Sequence, residues 1–264
     1  MINIAVIGAG GRMGQRILEL ANQDKDIFIK GAIDRADCPC MGQNVFPEFS
    51  ECSLKYSSSL EEILPNVDVI IDFSYTYSTM ENLEKIKKYK KAVVIGTTGF
   101  NESQIEIIKD ISKEIPCVLS PNMSIGVNVF FKILEEASKF LKDYDAEIIE
   151  LHHNKKKDSP SGTAVRIAEI ISKATDRTKD NWVFGREGLV GERKKEELGI
   201  HAVRLGDVVG EHSVYFCGNN ERLEITHRAH TRNNFASGSI LAAKWICDKK
   251  SGLYDMRDVL GFKK

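Results

Sequence analysis

The first 120 residues alternate between short apolar runs and longer runs with one polar face, and few folds accept that pattern. "INIAVIG" (2–8), "IFIKGAID" (27–34), "VDVIIDFS" (67–74), "AVVIGTTG" (92–99) and "PCVLSPN" (116–122) read as strands, apolar almost throughout. Between them, "RMGQRILELANQ" (12–23) sets Met13, Ile17, Leu20 and Ala21 on one helical face, and helices are also predicted over 78–89 and 102–113. Strands that lack polar alternation must be covered on both sides, and a helix between successive strands makes them parallel. The pattern therefore predicts an α/β, Rossmann-type, doubly wound parallel sheet.

Beyond residue 123 the pattern changes. A helix is predicted over 127–141, an alternating strand over 145–154 and a helix over 161–175. Three strand-like runs follow (200–208, 213–218 and 222–229) with no long helix between them, which predicts a second domain with a mixed or antiparallel sheet. The apolar helix over 236–250 is placed back against the first domain. The expected domains are thus 1–123 with 234–264, and 124–233. All six histidines (152, 153, 201, 212, 227 and 230) fall in the second.

Charge excludes some functions. The net charge is -1, so the chain as a whole has no field to attract nucleic acid or anionic lipid, and neither partner is expected. No run approaches the roughly 20 apolar residues of a membrane span, and "MINIAVIGAGG" has no basic leader, so a cytoplasmic location is expected. The cysteines (38, 40, 52, 117, 217 and 247) lack metal-site spacing; free thiols and no metal are expected.

The turn after the first strand, Gly8-Ala9-Gly10-Gly11-Arg12-Met13, ends a strand and opens a helix, with glycines at 8, 11 and 14. That arrangement lets a backbone approach a pyrophosphate and offers the helix N-terminus to its charge. Asp34 closes the next strand 20 residues after Gly14, where an acid bonds a ribose hydroxyl, and Arg35 beside it can pair with a 2′-phosphate. NADH, NADPH or both are the cofactors implied. Gly96, Thr97 and Thr98, and Ser120, Pro121, Asn122 and Met123, end later strands at the carboxyl edge, where such sheets bind ligands.

The stretch Glu150–Ala164, "ELHHNKKKDSPSGTA", is the other concentration of chemistry. On a strand, His152 and His153 point to opposite faces, a poor geometry for one metal ion. Ser161 is a plausible N-cap, and the N–H groups of Gly162 and Thr163 then form an anion site. Charge alone favours an ordinary capped helix behind a basic turn. A lysine, histidines and a helix N-terminus together suit a carboxylate substrate that needs a proton.

"IAVIGAGGRMG", "VIIDFS", "VIGTTGF", "SPNMSIGVNVF", "EIIELHHNKKKDSPSGTA", "RLGDVVGEHSVYF", "ERLEITHRA" and "SGLYDMRDVL" resemble, in order and over essentially the whole chain, the 4-hydroxy-tetrahydrodipicolinate (dihydrodipicolinate) reductases. The resemblance implies NAD(P)H-dependent reduction of (2S,4S)-4-hydroxy-2,3,4,5-tetrahydrodipicolinate to (S)-2,3,4,5-tetrahydrodipicolinate with loss of water, in lysine biosynthesis by the diaminopimelate pathway. It implies hydride delivery to ring C4, protonation of the adjacent carbon, a dinucleotide-binding unit at 1–123 and 234–264, a substrate-binding and oligomerisation unit at 124–233 that is an α+β domain with an open mixed sheet, and a homotetramer. It makes His152 and Lys156 catalytic, and His153, Ser161, Gly162 and Thr163 substrate contacts. Gly8 to Met13, Asp34, Arg35, Gly96 to Thr98 and Ser120 to Met123 become cofactor contacts, and Lys155 and Lys157 add only local positive potential. A non-catalytic NAD(H)-binding regulator is the alternative; it predicts a recognition helix or a longer basic stripe, and neither is present. An aspartate-semialdehyde dehydrogenase would need a nucleophilic cysteine, and no cysteine has the context for one.

Overall fold

The computed structural model describes residues 1–47 and 54–262 and divides into two compact units, Met1–Ile125 with Arg232–Lys264, and Gly126–Thr231. In the first, β1 (Ile2–Ile7), α1 (Arg12–Asn22), β2 (Ile27–Ile33), β3 (Tyr56–Ser57), α2 (Leu60–Ile63), β4 (Val69–Asp72), α3 (Thr76–Lys88), β5 (Ala92–Ile95), α4 (Glu102–Ser112) and β6 (Pro116–Leu119) follow one another. The second holds α5 (Ile125–Phe140), whose first residue is the boundary, then β7 (Asp145–His152), α6 (Gly162–Ala174), β8 (Trp182–Phe184), β9 (Leu198–Arg204), β10 (Gly210–Gly218) and β11 (Glu221–Ala229). The chain then returns to the first unit with α7 (Asn233–Ile246), β12 (Gly252–Tyr254) and α8 (Met256–Val259).

Among the described residues the first sheet has the order β3-β2-β1-β4-β5-β6-β12, every neighbouring pair parallel. Its two faces bury separate cores, as period-two strands require. In β1, Ile4 and Val6 join α1 and α7 residues such as Ile17, Ala21, Ala243 and Ile246, while Ala5 and Ile7 join Leu83, Ile86, Ile108 and Ile111 of α3 and α4. This is the doubly wound sheet. The order in which strands are added reverses between β1 and β4, the crevice where such sheets hold ligands.

Two strands are shorter than the apolar runs that announce them. β4 stops at Asp72 because Ser74 N–H and Oγ–H turn back to Asp72 Oδ1, at 2.9 and 2.6 Å, and β5 stops at Ile95 before Gly96. The residues released from the sheet, Phe73–Thr76 and Gly96–Gly99, line a cavity instead. β3, β8 and β12 have two or three residues each, too few for periodicity to reveal.

The second unit's sheet runs β11-β10-β7-β9-β8, with β10 antiparallel to β11 and β7, and β9 parallel to β7 and β8. It is mixed. Helices α5 and α6 cover one face, burying Phe130, Leu134, Ile167 and Ile171 against Ile148, Ile200, Val214 and Phe216. On the opposite face Glu147 accepts hydrogen bonds from Arg186 and Arg193 at 3.0–3.1 Å and pairs with His201 at 2.7 Å. Burial pushes the Glu147 carboxyl up, but these bonds outweigh it and hold the group down at about 2.

One cysteine expectation is corrected. Cys38 and Cys40 are joined by a disulfide, because the turn closed by Cys38 N–H to Arg35 O and Met41 N–H to Cys38 O (both 3.0 Å) folds their Cα atoms to 5.3 Å. Cys117, Cys217 and Cys247 are free, and Cys52 lies outside the described residues. No helix among the described residues is long and apolar enough to cross a membrane.

Candidate active site

The glycine-rich turn is built by close approach. Gly8 has φ +77°, and a Cβ there would lie 2.5 Å from the Phe73 carbonyl oxygen; a Cβ on Gly14 would strike the Gly8 carbonyl. Strand β1, the turn and α1 can pack this tightly only with glycine at both positions. Gly11 caps α1 without a side-chain bond, and no acidic residue occupies the first turn, so the helix start keeps its positive potential for a ligand. Asp34 is already engaged within the chain: its Oδ2 accepts Gly10 N–H and its Oδ1 accepts Arg35 N–H, both at 2.8 Å. It locks the turn, and its remaining lone pairs are what a ribose could use. The exposed Arg35 side chain reaches Asp37 at 3.1 Å, and the Cys38 and Cys40 sulfurs lie over Gly10.

Next to the turn is a cavity of about 660 Å³. It gathers Arg12 and Met13 from α1, Gly96, Thr97 and Thr98 after β5, and Pro121, Asn122 and Met123 after β6. Phe73, Ser74, Tyr75, Thr76, Arg232 and Phe235 also line it, and sequence reasoning missed these six. The first four had a usable signal, since they follow an apolar strand at the carboxyl edge. The other two come from the returning segment and had none. Ser120 is buried beneath, its hydroxyl bonded to Asn122 O at 2.9 Å. Asp72 is also beneath; burial pushes its carboxyl up, against hydrogen bonds from Ser74 and Thr97. A tight glycine cradle, an uncapped helix start and a cavity at the carboxyl edge fit a dinucleotide.

In the second unit the stretch 150–164 folds around a buried carboxylate. His152 lies on the same face of β7 as Glu150, and its Nδ1 is 2.6 Å from Glu150 Oε2. Glu150 also accepts from Arg204 Nη1 and Nη2 at 2.9 and 3.0 Å and from Ser161 N–H at 3.0 Å. Burial raises this carboxyl, but the bonds from His152, Arg204 and Ser161 more than reverse it, to about 2. β7 ends at His152, so His153 stands past the strand rather than on its opposite face, which corrects the strand over 145–154; its Nδ1 is buried without a partner. Lys156 is largely covered and reaches Asp158 at 2.9 Å, whereas Lys155 and Lys157 are exposed.

Ser161 caps α6 by accepting Ala164 N–H at 3.1 Å, and its hydroxyl is 3.0 Å from His212 Nε2. A Cβ built on Gly162 meets nothing within 4 Å, so the helix start is open beside Thr163. His212 is held at about 3, chiefly by burial. No group of three or more His, Cys, Asp or Glu among the described residues is placed to hold a metal ion. Glu150, Arg204 and His212 were not singled out from sequence; Glu150 stood inside the quoted motif, but its partner Arg204 is 54 residues away.

Residues 2–123 match the family model for the N-terminus of dihydrodipicolinate reductase, and residues 126–260 match that for its C-terminus. The chain belongs to the dihydrodipicolinate reductase family. Among curated relatives, the 4-hydroxy-tetrahydrodipicolinate reductase of Geotalea daltonii is 47% identical over 100% of both chains. That of Aquifex aeolicus is 51% identical over 98% of this chain and 99% of its own. The solved dihydrodipicolinate reductase of Paenisporosarcina sp. TG-14, bound to dipicolinate, superposes with a TM-score of 0.79 at 24% identity over 97% of each chain, which supports the fold. The family is one of NAD(P)H oxidoreductases in lysine biosynthesis, and its N-terminal domain, here residues 2–123, is the one that binds the pyridine nucleotide.

Proposed function

We propose that the chain reduces 4-hydroxy-tetrahydrodipicolinate, whose C4 hydroxyl leaves as water before the hydride arrives, the first unit binding the nicotinamide nucleotide and the second binding the cyclic dicarboxylate and supplying the proton. The observation that carries the second half is the cluster of His152, Lys156 and the open start of α6 around one buried carboxylate. Bound in the first unit's cavity, a reduced nicotinamide supplies a hydride equivalent for ring C4. Gly8 to Met13 hold the pyrophosphate, Asp34 and Arg35 meet the adenosine ribose, and Gly96 to Thr98 with Ser120 to Met123 border the nicotinamide. Ser120 does so from beneath, through its bond to Asn122 O.

The Gly162 and Thr163 N–H groups, with Ser161 fixing the turn, bind a substrate carboxylate with the aid of the α6 dipole. His153 adds a second contact. Lys156 releases a proton to the carbon next to C4, and His152 exchanges protons through Nε2. The positive charges stabilise the electron-rich intermediate between the two transfers. With Asp34 and Arg35 adjacent and the Arg35 side chain exposed, the site accepts NADH and NADPH. We place a homotetramer contact on the uncovered face of the second sheet, where Ile149 and Leu151 are part-exposed and Val203 is 38% exposed.

The test is direct. The purified chain is mixed with NADH or NADPH and the freshly generated condensation product of pyruvate and aspartate semialdehyde, and nicotinamide absorbance is followed. Consumption depends on both reactants if the reading is right; no consumption with either nucleotide overturns it. Light scattering checks the tetramer, and a monomer overturns that assignment.

A further inference from the structure

The reduction just described assigns no task to the carboxylate at the centre of the second unit's cluster, yet Glu150 is the group on which its parts converge. Its side chain has no exposure to solvent, and it receives hydrogen bonds from His152, from both terminal nitrogens of Arg204 and from Ser161 N–H. A carboxylate clamped by a guanidinium is ionised and only accepts hydrogen bonds. The contact of 2.6 Å to His152 therefore requires a proton on Nδ1. A neutral imidazole has one N–H, so Nε2 carries the lone pair. Gly210 leaves room at that atom: a Cβ on it would come to 3.0 Å from Nε2.

The same carboxylate orders its neighbours. Arg204 Nη2 also donates to Asp158 O at 2.7 Å, which ties down the loop carrying Lys156, itself bonded to Asp158 Oδ1. Ser161 N–H, bonded to Glu150 Oε1, belongs to the residue that caps α6. One buried anion thus sets a tautomer, a loop and a helix start.

We infer that Glu150 is the positioning residue of this site: its carboxylate fixes His152 in the Nδ1–H tautomer, leaving Nε2 as the proton-exchanging atom, and through Arg204 and Ser161 it registers Lys156 and the α6 N-terminus. The inference rests on the reductase reading for its kinetic part and on geometry alone for its tautomer part. The charged and titratable groups that face His152 in this cluster are Glu150, Arg204, His212, Lys156 and Asp158.

Two measurements test it. Neutron diffraction from crystals of the full chain at about pH 8 is expected to show the His152 hydrogen on Nδ1; a hydrogen on Nε2 alone overturns the inference, whether or not the chain reduces anything. In Glu150→Gln, the amide N–H₂ can donate to Nδ1 and move the ring proton to Nε2. That wrong tautomer lowers kcat on the order of 10²–10⁴-fold, while the KM for NADPH is unchanged. An unaltered kcat, or a loss confined to the NADPH KM, overturns the positioning role. If Glu150→Gln does not fold, the wild-type hydrogen position still decides. Absence of reductase activity in the wild-type chain would refute the proposed function without touching the tautomer result.

Discussion

Lowering the pH from 7 to 5 should destabilise the second unit through one side chain, His212. It is 4% exposed, its Nε2 meets Ser161 Oγ, and its Nδ1 has no partner among the described residues. An imidazolium there would be desolvated, would leave an N–H unsatisfied and would lie against His152. Its value is accordingly held at about 3 against 6.5 for a free side chain. The native value is the lower one, so below about pH 6.5 the unfolded chain takes up a proton that the native chain refuses. Stability therefore falls as pH drops through that window, down to about 3. For a single group with these two values, going from pH 7 to pH 5 costs about 2 kcal/mol. His227, lowered by burial and by His230, adds in the same direction. Glu147 and Glu150, near 2, do not titrate in this range.

The assay is urea unfolding at pH 7, 6 and 5, followed by Trp182 fluorescence in a Trp245→Phe background, since the chain has two tryptophans. His212→Gln keeps a polar partner for Ser161 but cannot take up the proton. It should lose about 2 kcal/mol less than the parent between pH 7 and 5. Parallel losses in the two proteins would show that His212 is not buried neutral, and the reasoning would fail.

Lys156→Ala should lower kcat by about 10²–10⁴-fold in the coupled assay; a rise in KM alone would make Lys156 a binding residue and move the proton donor elsewhere. Arg35→Ala should weaken NADPH more than NADH by fluorescence titration, and equal weakening would mean that Arg35 does not read the 2′-phosphate. Burial pushes the Cys117 thiol up to about 12, while Cys217 is exposed. Mass spectrometry after alkylation of the native chain should find Cys217 modified and Cys117 intact; rapid modification of Cys117 would contradict its place in the core.

How far the site was legible follows from how local each part is. The glycine turn, Asp34 and the capped start of α6 are local features, since the constraints act between residues close in sequence or one βα unit apart. The motif at 150–164 contained Glu150, but its meaning did not: an acid two residues before a histidine on a strand is unremarkable until Arg204 and Ser161 close on it. Apolar character carried the strands near β4 and β5 two to four residues too far, because composition does not register the Asp72–Ser74 turn or the cavity that Phe73 and Thr97 line.

By itself, the sequence determined the doubly wound sheet and a second domain of different architecture, because strand and helix periods are set by which faces must leave water. Only the tertiary structure decided that Cys38 bonds Cys40, that Arg232 and Phe235 join the first unit's cavity, and that His212 meets Ser161. The first depends on a tight turn, and the others on packing between residues far apart in sequence, 51 positions for Ser161 and His212 and more for Arg232 and Phe235; burial then sets the charge of His212.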